Sequence, residues 1–199
     1  MTTKLRVAVA DDEPDMRDFF EKFLPRLGHE VVAVAEDGAQ LLEQCRQVHP
    51  DLIIADVKMP GVSGLDAVEA LQREQPAPVV LVTAHADPAR VERAQAAGVQ
   101  AYLVKPITEN DLAPAIALAR QQFQQVQALR KEAGDLRQAL EDRKIIERAK
   151  GVIVKRLAVA EEEAYRKLRK FASDRNRKLI EVAQVVLHSE EIFYALEQS

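Results

Sequence analysis

Four of the short apolar runs in this chain end in residues able to do chemistry. Asp11 and Asp12 follow LRVAVA, Asp56 follows LIIA, Thr83 closes PVVLVT, and Lys105 follows AYLV with Pro106 behind it. Ligands of open α/β sheets sit at the carboxyl ends of the strands, so residues ending successive strands share one rim. Three carboxylates gathered there repel one another, and a hard divalent cation such as Mg2+ relieves that repulsion through oxygen ligands. The set lacks the His, Cys or paired acid and base that hydrolysis usually wants, but it suits formation of an aspartyl phosphate. Asp56 is the candidate nucleophile toward a phosphoryl group. Mg2+ and Lys105 offset charge developing on the phosphoryl oxygens, and the Thr83 hydroxyl donates a hydrogen bond. Asp12, Glu13 and Asp15 taken alone would suit a helix dipole equally well. Matching residue types at four strand ends are what single the set out.

Short apolar runs alternate with helical patterns through the first 117 residues. LRVAVA, EVVAVA, LIIA, PVVLVT and AYLV predict strands, with helices expected near residues 15–27, 38–49, 64–74, 87–97 and from 109 onward. Runs that are apolar throughout, not alternating, imply a parallel sheet covered on both faces, hence a doubly wound five-stranded α/β domain. With 199 residues and 47% hydrophobic content the chain can bury a real core in one large or two small domains. No apolar run approaches the roughly 18 residues of a membrane span. The first ten residues do not read as a signal peptide, so a cytoplasmic location away from membranes is expected. The lone Cys45 shares a helical face with Leu41, Leu42 and Val48 and reads as core filling.

The net charge of −4 hides an asymmetry. Residues 1–117 carry 11 Lys/Arg against 19 Asp/Glu, or −8, whereas residues 143–178 carry 13 against 5, or +8. Two domains with different partners follow, with nucleic acid a candidate for the second. Between them, residues 121–141 form a helical linker. Its Gln122, Val126, Leu129, Ala133, Leu136 and Leu140 repeat as in a coiled-coil seam, while a solvated connecting helix explains the same pattern. Residues 142–199 show helical patterns near 143–157, 161–174 and 177–188, with a further short one after Ser189, which predicts a small all-helical domain. Ile145, Ile146, Ala149, Val152, Ile153 and Leu157 share one side of the first helix; Glu147, Arg148, Gly151 and Lys155 share the other. Tyr165 and Phe171 are expected to point inward on the second helix, with Arg166, Lys167, Arg169 and Lys170 outside. Arg175, Arg177 and Lys178 mark the next turn. DNA reading, RNA reading and protein contact all remain open on these grounds.

Residues 1–120 resemble a response-regulator receiver domain, of flavodoxin-like fold, through DDE, DVKMPGVSG, TA and KP in this order and spacing. The resemblance implies that Asp56 accepts phosphate from a cognate histidine kinase. It also implies that Asp11, Asp12, Asp56 and the Lys58 carbonyl surround Mg2+, that the Lys105–Pro106 peptide is cis, and that Thr83 and Tyr102 move together as a switch. The chain is then a regulator and not an enzyme.

Residues 142–199 resemble the ANTAR domain, an RNA-binding three-helix module, through DRKIIERAKGVIVKR, EEEAYRKLRKFASDRNRKL and EVAQVVL. Arg148, Lys150, Gly151, Lys155, Arg166, Lys170, Arg175 and Lys178 become the candidate RNA contacts. The reading that follows is a phosphorylation-controlled regulator, a homodimer when phosphorylated, that binds RNA hairpins in nascent transcripts and prevents termination. A DNA-binding transcription factor and a protein-interaction output are its rivals. Two positions depart from the family pattern: Ala158 stands where a helix-ending glycine is frequent, and Ala160 where a Ser or Thr would cap the second helix.

Overall fold

The computed structural model describes residues 4–84 and 88–197. Its chain order is β1 (Arg6–Ala10), α1 (Pro14–Arg26), β2 (Glu30–Ala35), α2 (Gly38–Val48), β3 (Leu52–Asp56), α3 (Gly64–Glu74), β4 (Val79–Thr83), α4 (Pro88–Ala96) and β5 (Ala101–Val104), then α5 (Glu109–Leu157), α6 (Glu161–Asp174) and α7 (Leu179–Glu197). Asp87, the expected start of the fourth helix, lies outside the described residues. The five strands are parallel in the order β2-β1-β3-β4-β5. The chain divides into two compact units, Met1–Ala128 and Leu129–Ser199, with the boundary inside α5.

Strand alternation sends neighbouring residues to opposite faces, and both faces are covered. Val7, Val9, Leu52, Ile54, Val80 and Val82 pack with Phe20 and Leu24 of α1 and Leu112 and Ile116 of α5. The intervening Ala8, Ala10, Ile53, Ala55, Val79 and Leu81 pack with Leu41, Leu65, Val68 and Leu71 of α2 and α3. Each fully buried Leu, Ile or Phe contributes about 1.5–3 kcal/mol, which is why β3 and β4, buried along their whole length, carry no polar residue before their last positions. Cys45 belongs to this core, and burial pushes its thiol up to about 12, so it stays protonated. Local signals set the helix starts: Asp37 caps α2 by accepting from the Gln40 amide at 2.8 Å, and Ser63 caps α3 by accepting from that of Asp66 at 3.2 Å.

The second unit has a much smaller core, in which Ala149, Leu168, Ala172, Val182 and Ala183 are buried and Ile145, Ile146 and Ile153 pack around them. Three expectations need correction here. Helix α7 does not break near Ser189; the Ser189 hydroxyl donates to the Val185 carbonyl at 2.8 Å within the helix, and one helix continues to Glu197. Tyr165 and Phe171 do not point inward but are 39% and 50% exposed. Small alanines let the three helices approach closely at the core, and the two rings sit at its edge beneath Lys150 (5.8 Å from the Tyr165 centroid) and Arg175 (5.0 Å from that of Phe171). Lys150, expected as an RNA contact, is folded back between Glu147 at 2.8 Å and Glu161 at 2.7 Å, leaving its side chain 12% exposed.

The two departures from family pattern fall where backbone geometry is most demanding. Ala158 adopts the left-handed conformation, φ 50°, and Ala160 occupies the N-cap of α6 with no side-chain oxygen to satisfy the first amides.

Candidate phosphoacceptor site and basic helical face

Asp11 and Asp56 lie at the carboxyl ends of neighbouring strands, β1 and β3, whose register pairs Ala10 with Ala55. Asp56 in turn pairs with Val82, and Thr83 with Val104. This staircase places Asp11, Asp56, Thr83 and Lys105 on one rim. Asp11, Asp56 and Thr83 are the buried polar side chains among these, at 0%, 5% and 5% exposure.

Lys105 organises the carboxylates. Its Nζ lies 3.1 Å from Asp11 Oδ2, 2.9 Å from Glu13 Oε1 and 3.5 Å from Asp56 Oδ1. The Lys58 amide donates to Asp56 Oδ2 at 2.8 Å and the Glu13 amide to Asp11 Oδ1 at 3.0 Å. Arg17 donates to the main-chain carbonyls of Asp11 (2.8 Å) and Asp12 (3.1 Å), fixing the loop that carries both acids. Burial raises the carboxyls of Asp11 and Asp56 above the ordinary range, opposed by amide hydrogen bonds and Lys105. Burial alone would lower Lys105, but its bonds to Glu13 and Asp11 and the charges of Asp11 and Asp56 prevail and raise it.

Asp11, Asp12 and Glu13 each offer an oxygen within 4.8 Å of the others. Asp11 Oδ2 is buried and makes no hydrogen bond, although the Lys105 ammonium stands 3.1 Å away. A buried carboxylate oxygen with ion-pair company but no hydrogen bond, beside two further acids, fits a hard divalent cation. Receiver domains bind Mg2+ at such an acidic pocket. Sequence reasoning assigned Glu13 no contact at the site; its contact with Lys105 depends on a strand distant in sequence.

Two glycines make this geometry possible. A Cβ on Gly64 would overlap the Asp56 carbonyl oxygen, and one on Gly38 would overlap the Val62 carbonyl. Close backbone approach at the start of α3 therefore holds the end of β3 in place. Tyr102 on β5 is partly buried against the core on the α2 and α3 side, and the Lys105–Pro106 peptide is cis.

In the second unit Arg148, Gly151 and Lys155 on α5, Arg166 and Lys170 on α6, and Arg175 and Lys178 in the following turn are all exposed. A Cβ on Gly151 would meet nothing within 4 Å.

The fold and this rim define the class: a doubly wound signalling domain with an acidic strand-end site, joined to a basic helical output domain. The chain matches the response regulator receiver domain family over residues 7–117 and the ANTAR domain family over residues 134–187. It belongs to the response regulators that join a receiver to an ANTAR domain, regulatory proteins and not enzymes. It is 40% identical over 184 residues, covering 92% of this chain and 90% of the relative, to the transcriptional regulatory protein PdtaR of Mycobacterium tuberculosis. To the DNA-binding response regulator MtrA of Mycolicibacterium smegmatis it is 32% identical, over 56% of this chain and 48% of MtrA. The signal receiver domain of the putative response regulator NarL from Mycobacterium tuberculosis superposes with a TM-score of 0.55 at 35% identity, covering 58% of this chain and 95% of that one. Vibrio cholerae CheY4 does so with a TM-score of 0.55 at 28% identity, covering 58% and 98%. No helix among the described residues is long and apolar enough to cross a membrane.

Proposed function

We propose that a histidine kinase phosphorylates Asp56 and that the phosphorylated chain binds hairpins in nascent RNA and thereby prevents transcription termination. The observation that carries the first half is Lys105 Nζ standing between Asp11, Glu13 and Asp56 at the strand-end rim. Asp56 attacks the phosphoryl group of the kinase's phosphohistidine with Oδ1, since the Lys58 amide engages Oδ2, and the P–N bond breaks as the P–O bond forms, with the kinase histidine as the leaving group. Asp11, Asp12 and Asp56, with the main chain at Lys58, would hold Mg2+, which supplies charge neutralisation at the phosphoryl oxygens. Lys105 swings from its carboxylate partners to the new phosphoryl oxygens, and the Thr83 hydroxyl donates to another. The switch is a paired movement of Thr83 and Tyr102, whose strands are hydrogen-bonded neighbours.

The second half is supported by the exposed cations of a domain of the ANTAR family, with Arg148, Lys155, Arg166, Lys170, Arg175 and Lys178 contacting phosphates of folded RNA. Lys150 instead clasps α6 to α5 through Glu161. Phosphorylation promotes a homodimer through Val126, Leu129, Leu136 and Leu140, which are 43–65% exposed on the continuous α5.

Acetyl phosphate and Mg2+ test both halves. The parent chain gains a labile phosphate, its mass by light scattering rises toward a dimer, and its affinity for a hairpin increases. Asp56→Asn takes no label with its fold intact. Hairpin affinity falls with salt, and charge reversal at Arg148 or Lys170 flattens that slope by about one unit per lost phosphate contact. Equal labelling of Asp56→Asn refutes the phosphoacceptor assignment; tighter binding of the matching DNA hairpin favours a DNA output.

A further inference from the structure

The three helices of the second unit enclose a groove that neither phosphate transfer nor hairpin binding uses. Its volume is about 420 Å3, inside the range of small-molecule sites. Val152, Ile153, Leu168, Phe171, Val185 and Phe193 form its walls. Three of these large side chains remain half open to water: Phe171 at 50%, Val185 at 53% and Phe193 at 52%. A groove this apolar left facing solvent marks a binding surface.

Charge at the groove selects the occupant. Arg156, Lys167 and Arg177 line it against a single acid, Glu190. Arg156 is taken up: its Nε donates to Glu190 at 2.8 Å and its guanidinium lies 4.8 Å from the Phe193 centroid. Lys167 stands 3.5 Å from Glu163. The Arg177 side chain has no ion-pair partner among the described residues, although it lines an apolar concavity where a guanidinium gains most from a carboxylate.

We propose that this groove binds a small amphipathic carboxylate, a fatty-acid-like molecule. Its chain lies along Val152, Leu168, Val185 and Phe193, and its head pairs with Arg177. Each methylene buried contributes about 0.8 kcal/mol, so affinity rises with chain length until the groove is filled. Because α5, α6 and α7 all contribute wall residues, an occupied groove ties the three helices together and raises the stability of the unit.

Decanoate, kept below its micelle concentration, is the probe, titrated into the full chain by calorimetry with decanol and acetate as controls. Decanoate binds at one saturable site and raises the melting temperature, whereas acetate does neither and decanol binds about tenfold more weakly. Arg177→Gln weakens decanoate about tenfold, the loss of one charge-assisted bond. Val185→Glu, at a half-exposed position that leaves the fold intact by circular dichroism, abolishes binding. Equal affinity for decanol, or no effect of Arg177→Gln, refutes the carboxylate. Non-saturating uptake refutes the site. Binding to anionic phospholipid vesicles without binding to decanoate shows a membrane surface as the occupant, and a dimer that Val185→Glu dissociates shows a second copy; either result overturns the proposal.

Discussion

Ala158→Gly and Ala160→Ser together are expected to stabilise the helical unit by about 1.5 kcal/mol. Ala158 stands at φ 50°, where a Cβ crowds the following carbonyl oxygen at a cost of roughly 1–2 kcal/mol. Glycine removes that cost but adds roughly 0.4–1 kcal/mol of unfolded-chain entropy, leaving about 0.5 kcal/mol in favour of the change. Ala160 has the extended backbone of an N-cap, φ −66° and ψ 155°, with no oxygen to offer. A serine there accepts from an orphan amide of the first turn and contributes about 1 kcal/mol. Serine is preferable to aspartate because Glu161, Glu162 and Glu163 already supply negative charge to that turn. The two positions share one turn, so their effects need not add fully. Hydrogen exchange of the full chain, followed by mass spectrometry, reads the unit without separating it. A gain of about 1.4 kcal/mol corresponds to about tenfold slower exchange of the most protected amides of α6. Ala160→Leu is the control and gives no gain. Unchanged exchange in both single variants refutes the strained turn and the missing cap alike.

Gly64→Ala should lose about 1–3 kcal/mol in a denaturant melt, despite alanine's roughly 1 kcal/mol better helix propensity, because its Cβ overlaps the Asp56 carbonyl oxygen. Labelling by acetyl phosphate should slow with it; parental stability and labelling would show that α3 shifts freely. Gly151→Ala is the opposite case: with open space around it the melting temperature holds or rises, while hairpin affinity falls if phosphates approach that face. Gly151→Leu should weaken the hairpin further, and unchanged affinity would mark the glycine as merely tolerated. His29 is 6% exposed, and burial, followed by the charge of Arg120, holds its imidazole below the ordinary value of 6.5. The folded chain therefore keeps His29 neutral where the unfolded chain takes up a proton, so its contribution to stability is present above about pH 6.5 and is lost as pH falls through the folded value. The difference in melting temperature between the parent and His29→Asn should shrink as pH is lowered from about 7.5 to about 5.5, and a constant difference would exclude His29 as its source.

Much of this molecule is legible in one dimension because its signals are local. Uninterrupted runs such as LIIA and VVLV announce strands buried on both faces. Polar residues at their ends announce a rim, and the periodicity of Ile145, Ala149 and Val152 announces the inner side of a helix. Even the weak points of the helical unit, Ala158 and Ala160, are visible as residues of the wrong type for their turn. Contacts between segments distant in sequence are decided only by folding. Glu13 reaches Lys105 because β1 and β5 end on the same rim, 92 residues apart in sequence. Lys150 looks like one more exposed cation until α6 returns Glu161 to within 2.7 Å of it. Gly64 looks like an ordinary first-turn residue until β3 brings the Asp56 carbonyl against it. Tyr165 and Phe171 carry the periodicity of core residues, but whether a ring enters a core depends on how closely the other helices approach, and Ala149, Ala172 and Ala183 let them approach closely. Periodicity says which side of a helix is apolar; the packing of the other helices decides how much of that side water still reaches.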